Sequence, residues 1–447
     1  DGNGTRLSGT DSNQELGFAK FVMEPTANQR FALSYERLDE DGFKSRRPEW
    51  VGGPGNPEWF LEFSRRTITA NHEWTPFAND LINLETTVYN TEFSLYRPID
   101  TYTSMVATQG VALRNTSRFE RHELIYGVDY RDDEITAGDV TRPSEEKETT
   151  SVLGFYVQDH FQLNDDFMLS LGTRYDQFEL TDDDATDFDE NGFSPNAGFA
   201  WTLSDALTFS GSYASVVRGP ESNDGFKLFG TTNDPNLKAE RARNIEFGVE
   251  YEAGAFTYSA GVHDLTVADA IGNPLPWSRH YQNLGDLESD GYSLGVAYTG
   301  DRLQANVSLL DTDGEINGEE LTRYAYGYLG TSAGTSVAIN AAWTVSPQLE
   351  IGWIGQLVRG IDDLYISAAA ATIDKPGYSV HDFYAQWQPR DFDMFSLTVT
   401  LKNAFDRQYL DHGSIENLQV IDPVEWAGVV GSPAQGRDLR VTAALRF

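Results

Sequence analysis

The sequence predicts an all-β fold, an antiparallel transmembrane β-barrel, on three observations. Apolar residues recur at every second position in segment after segment. The connections between these segments alternate between short and long. No run of about 18 apolar residues exists to form a membrane-spanning helix. The clearest segment is the last. Leu439, Val441, Ala443, Leu445 and Phe447 are apolar, while Asp438, Arg440, Thr442, Ala444 and Arg446 are polar or small. Period two over this length gives a strand with one greasy and one wet face. In a barrel these faces meet lipid outside and water or protein inside.

Composition agrees. Aromatics make up 13% of 447 residues, yet mean hydropathy is only -0.44. A barrel hides its apolar surface in alternate positions, so a low average is compatible with a membrane protein. The net charge of -36, from 69 Asp+Glu against 33 Lys+Arg, argues against nucleic acid as a partner and fits long acidic loops in water. There are no cysteines, which excludes disulfides, thiolate metal sites and cysteine nucleophiles. The chain starts at Asp1, so targeting cannot be read from its beginning.

Taken in order, the pattern predicts about nineteen strands: Glu15–Met23, Gln29–Leu38, Trp59–Trp74, Leu81–Tyr96, Tyr102–Arg118, Arg121–Asp133, Thr149–Leu163, Phe167–Leu180, Gly192–Leu203, Ala206–Arg218, Arg243–Tyr251, Ala255–Val267, Leu287–Tyr298, Arg302–Asp311, Ser332–Val345, Gln348–Arg359, Tyr378–Trp387, Met394–Asn403 and Asp438–Phe447. In Ile245, Phe247, Val249 and Tyr251 the interleaved residues are Glu246, Gly248 and Glu250. Charges at every second position are costly inside a soluble sandwich and sit well on a watery lumen.

Short connections such as Asn164–Asp166, Glu252–Gly254 and Ser346–Pro347 alternate with long ones: Asp39–Glu58, Glu134–Glu148, Thr181–Asn191, Gly219–Ala242, Ala268–Asp286, Thr312–Thr331, Gly360–Gly377 and Ala404–Arg437. Short turns belong on the periplasmic side and long loops outside. On that orientation the first and the last strand both run inward. Antiparallel closure needs an outward strand between them, so an odd number of strands is expected to be missing on the N-terminal side. The closing strand is then expected to have an unpaired outer edge, or to meet Glu15–Met23 only in an unfavoured parallel sense.

After Ala206–Arg218 comes Arg218-Gly219-Pro220, then a loop with Asp234-Pro235-Asn236-Leu237-Lys238-Ala239-Glu240, and the next strand opens Asn244-Ile245-Glu246-Phe247-Gly248. Pro and Gly stop the strand, and Asp-Pro-Asn makes a turn. Further along stand Gly154-Phe155-Tyr156-Val157-Gln158-Asp159, Leu171-Gly172-Thr173-Arg174-Tyr175-Asp176, Leu401-Lys402-Asn403-Ala404-Phe405-Asp406-Arg407-Gln408-Tyr409, and Gly436-Arg437-Asp438. Together and in this order these segments resemble those of the TonB-dependent outer-membrane receptors. The resemblance implies a plugged barrel of about twenty-two strands. Residues 1–447 would then be the barrel domain, with the plug and about three first strands absent, and the Arg218–Asn244 loop would be the seventh outer loop. Pro376-Gly377-Tyr378-Ser379-Val380-His381-Asp382 and Tyr409-Leu410-Asp411-His412-Gly413 look most like haem or haemoglobin receptors. Those receptors usually carry a haem-ligating His in the seventh loop. Here no His lies between Arg218 and Arg243, which keeps a ferric siderophore beside haem as substrate.

The candidate ligand-binding residues are Arg218, Asp234, Asn236, His280, Tyr281, Tyr324, Tyr326, Tyr328 and His412. An imidazole in a loop can ligate iron, and the alternating phenols of Leu321–Gly330 can stack on a flat ligand or offer a tyrosinate. Each also has a plainer reading, as a rim histidine or an aromatic girdle. His263 continues the wet face of its strand. Asp187-x-Asp189-x-Asn191-Gly192 imitates a calcium loop but reaches Gly198 where Glu is needed, so no metal site is expected. No nucleophile elbow or phosphate loop is present, and no catalytic residue or permanently bound cofactor is expected.

The resemblance therefore implies energised uptake of an iron chelate, haem or ferric siderophore, through a multi-pass protein of the bacterial outer membrane. The TonB complex would act through the absent N-terminal region. Lipid, lipopolysaccharide and the barrel-insertion machinery would be further partners, the last reading the terminal Phe447. A passive porin-like channel, or a TonB-dependent receptor for cobalamin or a glycan, is the alternative.

Overall fold

The computed structural model describes residues 9, 12–45, 47, 50, 52–139, 142–221, 232–274, 278, 280–323, 329–392 and 394–446. The strands in chain order are β1 (Asn13–Thr26), β2 (Gln29–Ser45), β3 (Glu58–Trp74), β4 (Leu84–Arg97), β5 (Tyr102–Phe119), β6 (His122–Asp139), β7 (Arg142–Asn164), β8 (Phe167–Thr181), β9 (Asp187–Ser204), β10 (Leu207–Arg218), β11 (Thr232–Asn233), β12 (Glu240–Ala253), β13 (Phe256–Ala268), β14 (Ile271–Gly272), β15 (His280–Asn283), β16 (Leu287–Thr299), β17 (Leu303–Ile316), β18 (Glu319–Glu320), β19 (Ser336–Ser346), β20 (Leu349–Val358), β21 (Ile361–Ile366), β22 (Ala371–Lys375), β23 (Tyr378–Trp387), β24 (Phe395–Lys402) and β25 (Asp438–Leu445). Leaving out the loop strands β11, β14, β15, β18, β21 and β22, the remaining nineteen form one antiparallel meander. Each corresponds to one of the strands predicted from the alternation.

The register shows why these residues make a membrane wall. Directly paired residues share a face. Val249, Ala260, Leu294, Leu309, Val337 and Leu357 form one row across six strands. The adjoining row on the other face is Glu250, Ser259, Gly295, Ser308, Ala338 and Gln356. The apolar face is bare: Val262 is 55% exposed, Leu294 50% and Trp343 50%. Exposed apolar area on this scale is stable only against lipid, because each Å² left in water costs about 25 cal/mol. The turns at one end are short, and Gly254 takes φ +64 in the tight connection from β12 to β13.

The connections correct the sequence reading at two places. Glu134–Glu148, expected as a long loop, is mostly hairpin. Ile135 pairs with Glu148, Thr136 with Lys147 and Ala137 with Glu146. The acidic stretch Thr181–Asn191 likewise keeps only Asp182–Thr186 as loop, since Thr181 pairs with Asp187 and Glu179 with Asp189. Both hairpins rise beyond the apolar belt, where wet surroundings remove the alternation that marks a strand in sequence. The connection from β4 to β5 is a short outer turn, Pro98–Thr101, where the predicted strands Leu81–Tyr96 and Tyr102–Arg118 leave only a few residues between them.

Among the described residues β25 pairs only with β24, and β1 only with β2. The sheet is therefore an open barrel wall with an unpaired edge on each side of the seam. Every residue of β1 is exposed. Soluble-type packing occurs instead among the outer loops. The largest such core joins Leu364, Ile366, Ile373, Ile415, Leu418, Trp426 and Val429.

Candidate ligand-binding site

Two loop assemblies on the outer side hold the predicted residues, and their construction differs. The first stands above β8–β17. β11 pairs in parallel with β15, setting Thr232 opposite His280 and Asn233 opposite Tyr281. β14 completes this small sheet against the other edge of β15. The Asp234 N–H donates to the Tyr281 carbonyl at 2.8 Å. Asp234 Oδ1 accepts from the Asn236 N–H at 2.8 Å and from Asn236 Nδ2 at 3.1 Å, closing the turn that Asp-Pro-Asn predicts. The backbone N–H of Asn236, then its side chain, holds the Asp234 carboxyl below its usual range. His280 Nδ1 lies 3.0 Å from Thr232 Oγ1.

The little sheet is tied down at its base. Arg218 Nε meets Glu240 Oε1 at 2.7 Å, and the other Glu240 oxygen accepts the Ile271 N–H at 3.0 Å. Asn233 Nδ2 donates to Asp182 Oδ2 at 3.2 Å, so the acidic loop is an anchor. Leu180, Phe188 and Leu237 form a small dry core beneath it. Arg218, Asp234, Asn236, His280 and Tyr281 are thus brought into one assembly.

The second assembly gathers the β17–β19, β20–β23 and β24–β25 loops. Lys375 Nζ lies 3.2 Å from Glu416 Oε1 and donates to Thr331 Oγ1 at 2.6 Å and the His412 carbonyl at 3.2 Å. Glu416 also accepts from the Arg323 N–H at 2.9 Å and Thr331 Oγ1 at 2.9 Å. Burial pulls the Lys375 ammonium below its ordinary pKa, against the attraction of Glu416. His412 is 3% exposed, with Nδ1 3.2 Å from the Ala333 carbonyl and Nε2 3.2 Å from the Pro376 carbonyl. In this packing neither ring nitrogen faces open space, and the ring acts as a strut between loops. Trp50 of the β2–β3 loop bridges to Val429 and packs on the same core. Tyr324, Tyr326, Tyr328 and Phe447 lie outside the described residues.

Below both assemblies the lumen wall carries a charge ladder that the sequence reading missed. Arg174 donates to both oxygens of Asp129 at 2.7 Å and to Asp176 at 2.6 Å. Arg131 meets Asp133 at 2.7 Å and Glu221 at 2.6 Å, linking the ladder to the start of the Arg218 loop. A signal was present: Arg37-x-Asp39, Arg131-x-Asp133 and Arg174-x-Asp176 place opposite charges on one face of a strand. His263 faces the lumen opposite Glu246, as its alternation predicts.

An antiparallel meander with a lipid-facing apolar belt, a charged inner face and packed outer loops is a membrane β-barrel of the outer-membrane type. More specifically, the chain belongs to the TonB-dependent receptors: the family model described as "TonB dependent receptor-like, beta-barrel" matches residues 3–404. Among curated relatives, the heme transporter BhuA of Brucella ovis is 23% identical over 470 residues, covering 100% of this chain and 68% of its own. The heme/hemopexin utilization protein C of Haemophilus influenzae is 24% identical over 348 residues, covering 68% of this chain and 48% of its own. Among solved structures, the FrpB iron transporter from Neisseria meningitidis (F3-3 variant) superposes with a TM-score of 0.84 at 22% identity, covering 100% of this chain and 74% of that one.

Proposed function

We propose that this chain is the barrel of a bacterial outer-membrane receptor that takes up an iron chelate, haem or a ferric siderophore, with energy supplied through TonB. The observation that carries this reading is family membership together with the assembly of Arg218, Asp234, Asn236, His280 and Tyr281 above the lumen. Relatives called a heme transporter and a heme/hemopexin utilization protein support haem. His280 supplies an imidazole whose Nε2 has no partner among the described residues, which suits iron ligation. Arg218 and Asp234 supply charges that orient the chelate. The chelate is cargo, with no resident cofactor or enzymatic step in this reading.

The proposal includes a plug and about three further strands N-terminal to this wall. The unpaired edges of β1 and β25 support that, as does the greater length of the relatives. A closed barrel of about twenty-two strands needs a plug to avoid leakage.

Haem titration of the complete receptor, followed by its Soret absorbance, tests the reading. A shift is expected, reduced in His280→Ala. Absence of any shift, with growth on a ferric siderophore as sole iron source, would replace haem by siderophore. Uptake that persists in cells lacking TonB would overturn the energised mechanism in favour of a passive channel.

A further inference from the structure

A cavity of about 390 Å³ opens in the second loop assembly, between the exit of β22 and the segment Arg407–Asn417. This size lies within the usual range for small-ligand sites, roughly 300–1,000 Å³. Its wall is held by the buried Lys375–Glu416 pair, so it is preformed. Two properties of the lining restrict what can enter. The Arg407 guanidinium is exposed, has no carboxylate within 4.0 Å among the described residues, and donates only a long bond, 3.4 Å, to the Gly377 carbonyl. The Tyr409 ring, stacked on Tyr378 at 4.3 Å, and Ile415 supply apolar wall.

Charge then selects among ligand classes. The lining holds Asp374, Asp411 and Glu416 against Lys375 and Arg407, one net negative charge, in a chain of net charge -36. An organic anion would be repelled by that field. An ammonium ion would leave Arg407 unanswered. A purely apolar molecule would cover the Arg407 guanidinium without answering its N–H groups. A neutral polyol meets all of these demands, because each hydroxyl both donates and accepts. Its hydroxyls can donate to Asp374 and Asp411 and accept from Arg407, while its C–H face packs on the apolar wall.

We propose that this cavity binds one hexose-sized neutral sugar residue. The site is separate from the Arg218–His280 assembly, and the proposal does not depend on which chelate that assembly takes. The sugar has two sources of the same chemistry: the saccharide of lipopolysaccharide in the surrounding leaflet, and a soluble glycan.

Saturation-transfer NMR on the complete receptor in detergent tests this, with methyl α-glucoside, methyl α-galactoside and N-acetylglucosamine as neutral probes and benzoate and ethylammonium as charged ones. At least one neutral sugar is expected to receive saturation, and Arg407→Gln and Asp374→Asn are each expected to weaken it about tenfold, the scale of one lost hydrogen bond to a charged group. Unchanged amide exchange at Lys375 and Leu418 verifies that the assembly remains folded in both variants. Binding of free glycosides assigns a soluble source. Binding of intact lipopolysaccharide alone, lost in both variants, assigns the leaflet. Transfer to benzoate or ethylammonium in preference to every sugar, or sugar binding indifferent to both substitutions in folded protein, would overturn the proposal.

Discussion

The two outer assemblies use the same residue types to opposite ends. In the Arg218–His280 assembly, polar side chains hold short backbone segments in place, and the dry core beneath is only Leu180, Phe188 and Leu237. In the Lys375–Glu416 assembly, seven buried apolar residues surround a salt bridge whose side chains are 8% and 0% exposed. His280 rests against one hydroxyl, whereas His412 is clamped between two backbone carbonyls. A histidine in a receptor loop is therefore not by itself a ligand. What decides is whether the loop around it has a core.

The largest expected effect breaks the second assembly. Lys375→Met strands Glu416 in a dry interior, and losing one partner of a buried pair costs about 3–5 kcal/mol. Amide exchange across residues 404–437 should rise sharply, with little change at Thr232–Asn236. Adding Glu416→Leu should recover much of the loss, because removing both charges removes the penalty. Recovery would show that the pair fixes an arrangement more than it stabilises it.

A smaller effect is expected at the base of the first assembly. Arg218 is 46% exposed and Glu240 13% at their side chains. Pairs open to solvent contribute roughly 0.2–1 kcal/mol, and Glu240 also loses the Ile271 N–H in Glu240→Ala, so the upper end applies. Chelate affinity should fall less than about tenfold, the equivalent of 1.4 kcal/mol. A larger fall would show that Glu240 fixes the position from which Arg218 meets the chelate.

The smallest effect is one of pH. The Asp234 carboxyl, held by the Asn236 N–H, has a folded-state pKa below its ordinary value of 3.8. Such a carboxylate stabilises the fold above its unfolded pKa, and the contribution is lost as pH falls through the folded value. Local exchange protection at Asn236 should therefore be flat from neutral pH down to about 4 and weaken only below that. Asp234→Asn should remove this acid dependence while leaving the Lys375 assembly unaffected.

The wall was legible in the sequence because a membrane makes alternation compulsory. Ile245, Phe247, Val249 and Tyr251 had to face lipid, and Glu246 and Glu250 had to face away. Above the belt that constraint ends, so Ile135–Ala137 and Asp187–Asn191 read as loop although both are strand. The five residues of the first assembly were identified through a family likeness and a turn motif, but not their joining by β11 and β15. The Ala404–Arg437 loop contains Ile415, Leu418, Trp426 and Val429, which do not alternate and so read only as part of a long connection. Its partners Leu364, Ile366 and Ile373 lie in a different loop, so the packing that buries His412 was not readable from either segment alone.

The most direct test of this account is amide exchange on the complete receptor with and without bound chelate. Protection should appear at residues 232–236 and 280–283, with the amides of Lys375, His412 and Leu418 unchanged. Protection confined to 404–437, with no change in the β11–β15 sheet, would contradict the assignment of the chelate to the first assembly.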